Sequence, residues 1–186
     1  MEGYDFNLGP RTSRMCPTKS VHLFLDSTKR TGGSLQRAVF ALPYFDGKYS
    51  RYARAYIQVV RWQPLATIAD VDESLVLRLT AGPTLVDTFD SIMTAERGEF
   101  APSSVIAVQS QYQIRSGLAG SYRTSALPLD PIELSGNPLG GSIELHCATL
   151  GANGYVDANL PGTTNGREWY GVLRLVFMEE DLAEEE

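Results

Sequence analysis

Side chains that usually carry chemistry are sparse in this chain. It has two histidines, His22 and His146, and two cysteines, Cys16 and Cys147. A metal site on a β-scaffold needs imidazoles or thiolates close together, so that two of them reach one ion. Neither histidine has a second histidine two residues away. If the local apolar alternation marks strands, His22 lies opposite Val21, Leu23 and Leu25, and His146 lies opposite Ile143, Leu145 and Cys147. Both histidines are then expected on polar strand surfaces. No metal and no cofactor is expected. A nucleophile turn of the G-x-S-x-G type is absent, so no Ser-His-Asp site is expected. The stretch 117–121 contains glycines but lacks the lysine and the spacing of a phosphate cradle, and it reads as a turn. Asp70, Asp72 and Glu73 lack the glycine and distal glutamate of a calcium loop and read as solvated acids. Glu133, Glu144 and Glu168 would form a glycosidase pair only if two of them converged on one cleft. The reading that follows is a chain with no catalytic residues, which is not an enzyme.

The informative side chains are aromatic and basic. Tyr52, Arg54, Tyr56 and Trp62 are expected to share one face of a strand. Tyrosine, tryptophan and arginine are enriched at protein interfaces, because each combines contact area with a polar handle. The chain has 13 arginines against three lysines, and arginine suits bidentate, interfacial pairing better than lysine does. Arg11 and Arg14 lie in a polar opening segment. These six residues are the interface candidates. The alternative for the strand face is cover by a loop of the same chain.

The elements that must position them follow from period-two alternation. Strands are expected over 21–25, 34–42, 52–62, 74–80, 104–115, 127–134, 142–150 and 168–178. In the third, Ala53, Ala55, Ile57 and Val59 face inward. In the fifth, Ile106, Val108, Tyr112 and Ile114 alternate with glutamines. Pro128 and Pro131 confine the sixth to an edge or an irregular stretch. Trp169, Leu173, Leu175 and Phe177 align in the last strand, which is expected in mid-sheet. One helix is expected after the fourth strand: Asp87 or Thr88 caps it, Phe89, Ile92 and Met93 form its stripe, and Gly98 ends it. Eight strands with connections of unequal length imply two antiparallel sheets packed face to face, all-β, as an eight-stranded jelly-roll β-sandwich with one short helix. Residues 1–20 read as an extended arm, 21–178 as one domain and 179–186 as an acidic tail.

Composition agrees with a globular body. The 186 residues are 43% hydrophobic and 20% charged, enough for one buried core without disulfides. The net charge of -6 comes from the tail, whose last eight residues hold six acids; the remaining 16 acids balance the 16 bases. A neutral body gives no electrostatic reason to bind nucleic acid or an anionic membrane. No segment reaches the length of a membrane span. No apolar run of signal-peptide length opens the chain and no Asn-x-Ser/Thr occurs. Two unpaired thiols suit a reducing compartment.

The opening order carries a likeness. An apolar strand (Val21, Leu23, Leu25) runs into Asp26, Ser27, Thr28, Lys29 and Arg30. A glycine-containing turn follows, then a strand ending Phe40, Ala41, Leu42, Pro43. A long strand with Ala55 and Ile57 comes next. Much later Trp169 opens a Leu-x-Leu-x-Phe strand. Over about residues 20–178 this order resembles the single-jelly-roll capsid proteins of large eukaryotic double-stranded DNA viruses, in which Arg30 matches a frequent arginine. The resemblance implies a penton that forms homopentamers at icosahedral vertices beside the major capsid protein. A minor capsid protein that cements the shell is the alternative. It also implies assembly in the host cytoplasm, residence in the virion capsid, and an N-terminal arm that reaches a neighbour. Other readings of the same fold are a carbohydrate-binding module or lectin, a small sandwich enzyme, and a trimeric cytokine-like jelly roll.

Overall fold

A computed structural model of the chain describes residues 18–45, 47–49, 52, 54–64, 75–90, 101–109, 130–151, 154–158 and 169–178. They form β1 (Thr18–Asp26), β2 (Gly32–Gly33), β3 (Arg37–Ala41), β4 (Arg54–Pro64), β5 (Leu75–Ala81), β6 (Phe89–Asp90), β7 (Ala101–Pro102), β8 (Val105–Gln109), β9 (Ile132–Leu134), β10 (Ser142–Gly151), β11 (Gly154–Asp157) and β12 (Trp169–Met178). A single 3-10 turn, Ser27–Lys29, follows β1, with the Asp26 carboxylate accepting from the Thr28 N–H. β1 begins at Thr18, so the last residues of the expected arm are strand, paired with the end of β12.

Two antiparallel sheets carry the fold. One has the order β1-β12-β4-β9; the other has the order β2-β3-β10-β5-β8, with β11 added beside β10. The pairing is nested. Counting the main strands along the chain as β1, β3, β4, β5, β8, β9, β10 and β12, the first pairs with the last, the second with the seventh, the third with the sixth and the fourth with the fifth. Two further ladders, β12 on β4 and β10 on β5, join these pairs into sheets. β12 therefore lies in mid-sheet.

Alternation along each strand puts one apolar face of each sheet inward. Leu23, Leu25, Ile57, Leu173 and Leu175 from the first sheet and Phe40, Leu77, Leu79, Ile143 and Leu145 from the second belong to one buried cluster, as expected of a β-sandwich. Two aromatic anchors on β12 fix its ends. Trp169 packs edge-on against Phe40 with centroids 5.7 Å apart, and its indole N–H donates to the Leu35 carbonyl at 2.8 Å. The Trp169 backbone N–H donates to the buried Ser27 hydroxyl at 3.2 Å. At the other end Phe177 contacts the rings of Tyr49 and Tyr52, at 4.9 and 6.0 Å.

Two β-bulges correct the expected faces. On β4, Val59 lies opposite Leu173 and Arg61 opposite Val172, so Val60 is an extra residue. An inserted residue reverses the alternation beyond it. Trp62 therefore turns into the core, where it is 3% exposed, and does not share the outer face of Arg54 and Tyr56. Gly171 stands opposite Trp62, where a Cβ would come within 3.0 Å of the Arg61 carbonyl. A side chain there would crowd the bulge. The second bulge lies where Leu77 faces Ala107 and Arg78 faces Val105. Ile106 and Ala107 are both buried, and Val108, expected inward, is 51% exposed.

The expected helix is also corrected at its start. Phe89–Asp90 pairs with Ala101–Pro102 as an antiparallel ribbon, and the Ser103 N–H donates to the Thr88 carbonyl at 2.8 Å. Asp87 adopts φ 53°, a left-handed value that short polar side chains tolerate but that differs from the extended backbone of a helix N-cap. Ladder partners at 101–103 thus take the backbone groups that a helix would have used. Ile92, Met93 and Gly98 lie outside the described residues, as do 110–115 and 127–129 of the expected fifth and sixth strands. Among the described residues there is no α-helix.

The core and the surface of the first sheet differ sharply in their tolerance of change. Phe177 is fully buried whereas Phe24 is 81% exposed. Phe177→Ala is expected to lower unfolding free energy by about 3–5 kcal/mol, and Phe24→Ala to change it by no more than about 0.5 kcal/mol. Urea denaturation of the two variants measures both.

Candidate functional site

The outer face of the first sheet is built from three adjacent strands. Register sets Phe24 beside Val172 and Val172 beside Arg61; one row along, His22 stands beside Arg174 and Arg174 beside Gln58. In the next row Val176, Tyr56 and Glu133 are neighbours. Phe24 is the most exposed of the large apolar side chains described.

Three arginines, Arg54, Arg61 and Arg174, stand among these groups. The Arg61 guanidinium stacks over the Tyr170 ring at 5.4 Å. It also donates to Gln63 at 2.9 Å and to the Tyr170 hydroxyl at 3.2 Å, and the Tyr170 hydroxyl in turn donates to Gln63. This network holds Arg61 in place without a carboxylate. Arg54 stands 3.9 Å from Glu133 in a solvent-exposed ion pair, of a kind that adds little stability. Arg174, in the centre of the face, has its Nε buried with no hydrogen-bond partner.

The expected interface residues divide between this face and other places. Arg54 and Tyr56 lie on it. Trp62 is in the core because of the bulge. Tyr52 is in the core as well, because it precedes β4 and closes over Phe177 under the Lys19 ammonium. Both are corrections to the expected outer row. Arg11 and Arg14 lie outside the described residues. The reading from sequence missed Phe24, Arg61, Tyr170 and Arg174. Phe24 had a signal: it sits out of phase between Leu23 and Leu25, which places a large apolar residue on the outer face.

Of the carboxylates weighed for sugar hydrolysis, the two among the described residues, Glu133 and Glu144, lie on different sheets. Glu133 is on the outer face of the first sheet beside Tyr56, while Glu144 is on the second sheet, hydrogen-bonded to Thr80 at 2.6 Å. Glu168, Asp70, Asp72, Glu73 and 117–121 lie outside the described residues. A surface groove of roughly 320 Å³ runs along Arg78, Thr80, Gly82, Thr84, Pro102 and Ser103, and its lining holds no carboxylate, histidine or cysteine. Among the described residues no group of three histidine, cysteine or acidic side chains gathers as metal ligands.

The second sheet holds a polar cluster that the sequence did not disclose. His146 is 0% exposed, although it was expected on a polar strand surface. It stands between Arg37 on β3 and Arg78 on β5 in the ladder. Its Nε2–H donates to Asp157 Oδ1 at 2.8 Å, and Arg37 Nε donates to the same oxygen at 2.8 Å. Arg78 stacks on Tyr155 of β11 at 4.3 Å and donates to Ser104 at 2.9 Å. The cluster ties the β10–β11 hairpin to the neighbouring strands. Burial pushes the His146 pKa below its ordinary value, the charges of Arg37 and Arg78 push it further down, and the Asp157 bond opposes them. The neutral imidazole therefore keeps its proton on Nε2, and Nδ1 is buried without a partner. The Arg37 guanidinium holds the Asp157 carboxyl below its usual value. This cluster is a structural clasp: a carboxylate oxygen at the surface shared by the buried His146 and the exposed Arg37, so that three strands are joined by side chains.

Comparison with protein families, with curated proteins and with solved structures returned no match.

The clasp gives stability a defined pH dependence. A histidine whose pKa is lower in the fold is neutral when native but protonated when unfolded below about 6.5. The unfolded state then binds more protons, so stability is full above that pH and falls as pH drops toward the native pKa. Asp157, also lowered, adds a second loss below its ordinary 3.8. The urea midpoint is expected to fall between about pH 8 and about pH 5, about one and a half units to either side of the unfolded histidine value. In His146→Gln, which keeps a donor for Asp157, this slope should largely vanish while the loss below 3.8 remains.

Proposed function

We propose that this chain is a virion structural protein with a jelly-roll fold, acting as a penton that closes into homopentamers at icosahedral vertices. The observation that carries the reading is the nested strand order. An antiparallel ribbon in which first pairs with eighth, second with seventh, third with sixth and fourth with fifth, once wrapped on itself, brings the eighth beside the third and the seventh beside the fourth. Six ladders among the main strands follow that pattern, which supports the jelly-roll reading of the sandwich. The likeness to single-jelly-roll capsid proteins supplies the function.

The surfaces support assembly over turnover. A ring of identical subunits needs a heterologous contact, in which two different patches of one subunit meet. The outer face of the first sheet offers an exposed phenylalanine, tyrosines and arginines, the types that dominate contact energetics. The groove and the clasp offer no nucleophile beside a base. A lectin reading needs a solvent-facing platform of Tyr52, Tyr56 and Trp62, and two of these three are in the core. A minor capsid protein on the same fold is the second reading, favoured if the protein binds its shell neighbours without forming rings. The partners are other copies of the chain and the major capsid protein.

Mass photometry of the purified protein tests the proposal. The expected species has five times the subunit mass of 20.4 kDa. Phe24→Glu should shift it toward single subunits, with a urea midpoint that matches the wild type when both are measured at a dilution where the ring is dissociated. A monomer that neither self-associates nor binds the major capsid protein would overturn the reading.

A further inference from the structure

We infer that the outer face of the β1-β12-β4-β9 sheet receives the acidic segment 179–186 of a second copy of this chain. The inference rests on the assembly reading and names one occupant of the contact. It starts from an unmet electrostatic demand. Arg61 and Arg174 lie on neighbouring strands, with the pair Leu173 and Val59 between their positions in the ladder, and neither is paired with a carboxylate among the described residues. The nearby acids on this face are engaged: Glu133 pairs with Arg54, and Asp26 accepts from the Thr28 N–H and hydroxyl. Arg174 Nε is a buried donor without an acceptor, a state that is destabilising until an acceptor arrives.

The most acidic run of the chain has matching chemistry. Residues 179–186 carry six acids and no base, whereas the rest of the chain balances 16 against 16. Within that run, Leu182 is an apolar side chain of a size to lie against Phe24 and Val172. Strand spacing and rise put the Cα atoms of Arg61 and Arg174 roughly 8 Å apart. Acids two or three residues apart on an extended segment span a similar distance, roughly 7–10 Å. An arginine meeting such a carboxylate gains charge-assisted, bidentate bonds. Direction favours docking between copies. β12 runs from Trp169 toward Met178, and Arg174 and the partner of Arg61, Val172, both precede Met178 on it, so a segment that follows Met178 would have to reverse over its own strand to reach them. A neighbour's segment can approach that face without reversing over its own sheet.

Reciprocal charge reversal in the full-length chain provides the test. Arg61→Glu with Arg174→Glu, and separately Glu179→Lys, Glu180→Lys and Asp181→Lys, should each reduce the oligomer fraction in mass photometry about tenfold or more. Combining both sets should restore it. The wild-type oligomer should also be weaker in about 500 mM salt than in about 50 mM. If the lysine substitutions leave the oligomer intact, or the combination fails to restore it in a folded protein, the inference is overturned while the assembly reading stands. If the wild type is monomeric, the assembly reading is in question, and a second measurement decides the inference. A labelled peptide of residues 179–186 is titrated onto the full-length chain whose own tail acids are replaced by the matching amides. Binding that Arg174→Glu weakens about tenfold or more supports docking; absence of binding overturns it.

Discussion

The fold depends on one strand, β12. Its inward side chains carry Trp169, Leu173, Leu175 and Phe177 into the centre of the core, and its backbone serves both β1 and β4. Without it the first sheet would be two separate fragments, and the second sheet would lose the apolar face it packs against. Its two ends are pinned differently. Trp169 is held by an indole hydrogen bond and by Ser27, while Phe177 is held by ring contacts alone. The polar end fixes register and the aromatic end fills volume.

The bulge at Val60 shows how one residue can allot a strand to two tasks. Before it, β4 shows Arg54, Tyr56 and Gln58 to the outside. After it, Trp62 joins the core and Arg61 takes the outer position beside Tyr170. A regular strand would have exposed an indole and buried a guanidinium. The bulge avoids the cost of an unpaired buried charge, and it gathers arginine and aromatic groups on one surface. Gly171 is the partner that makes room for it. The outer face is thus a product of the same packing that fills the interior.

Much of the fold was legible because alternation is a direct record of a two-faced sheet. Inward positions such as Leu23, Ile57, Leu77, Leu145 and Leu175 were read correctly, as was the place of the last strand in mid-sheet. The errors fall where a local rule is broken by tertiary pairing. Bulges at Val60 and Ile106 shift the phase, and neither has a glycine or proline to mark it, so Trp62 and Val108 were assigned to the wrong faces. The stretch after Asp87 has helical spacing, yet its backbone groups pair with 101–103, a partner that no local window contains. The site was less legible. Arg54 and Tyr56 were placed, but Arg174 and Arg61 acquire meaning only from cross-strand neighbours. His146 was read as a surface residue because its alternation was correct. What encloses it comes from β3, β5 and β11, which are far away or folded back in space.

The nested pairing also governs when the molecule can exist. The first ladder joins Thr18 to Met178, so the opening strand has no partner in its sheet until residues 169–178 have been made. Contacts of such long sequence separation make folding slow, and they leave strand edges open to wrong partners in the meantime. A growing chain of this design presents no finished outer surface until its closing strand is made. The outer face of the first sheet is therefore completed in a single step, when β12 joins β1 and β4.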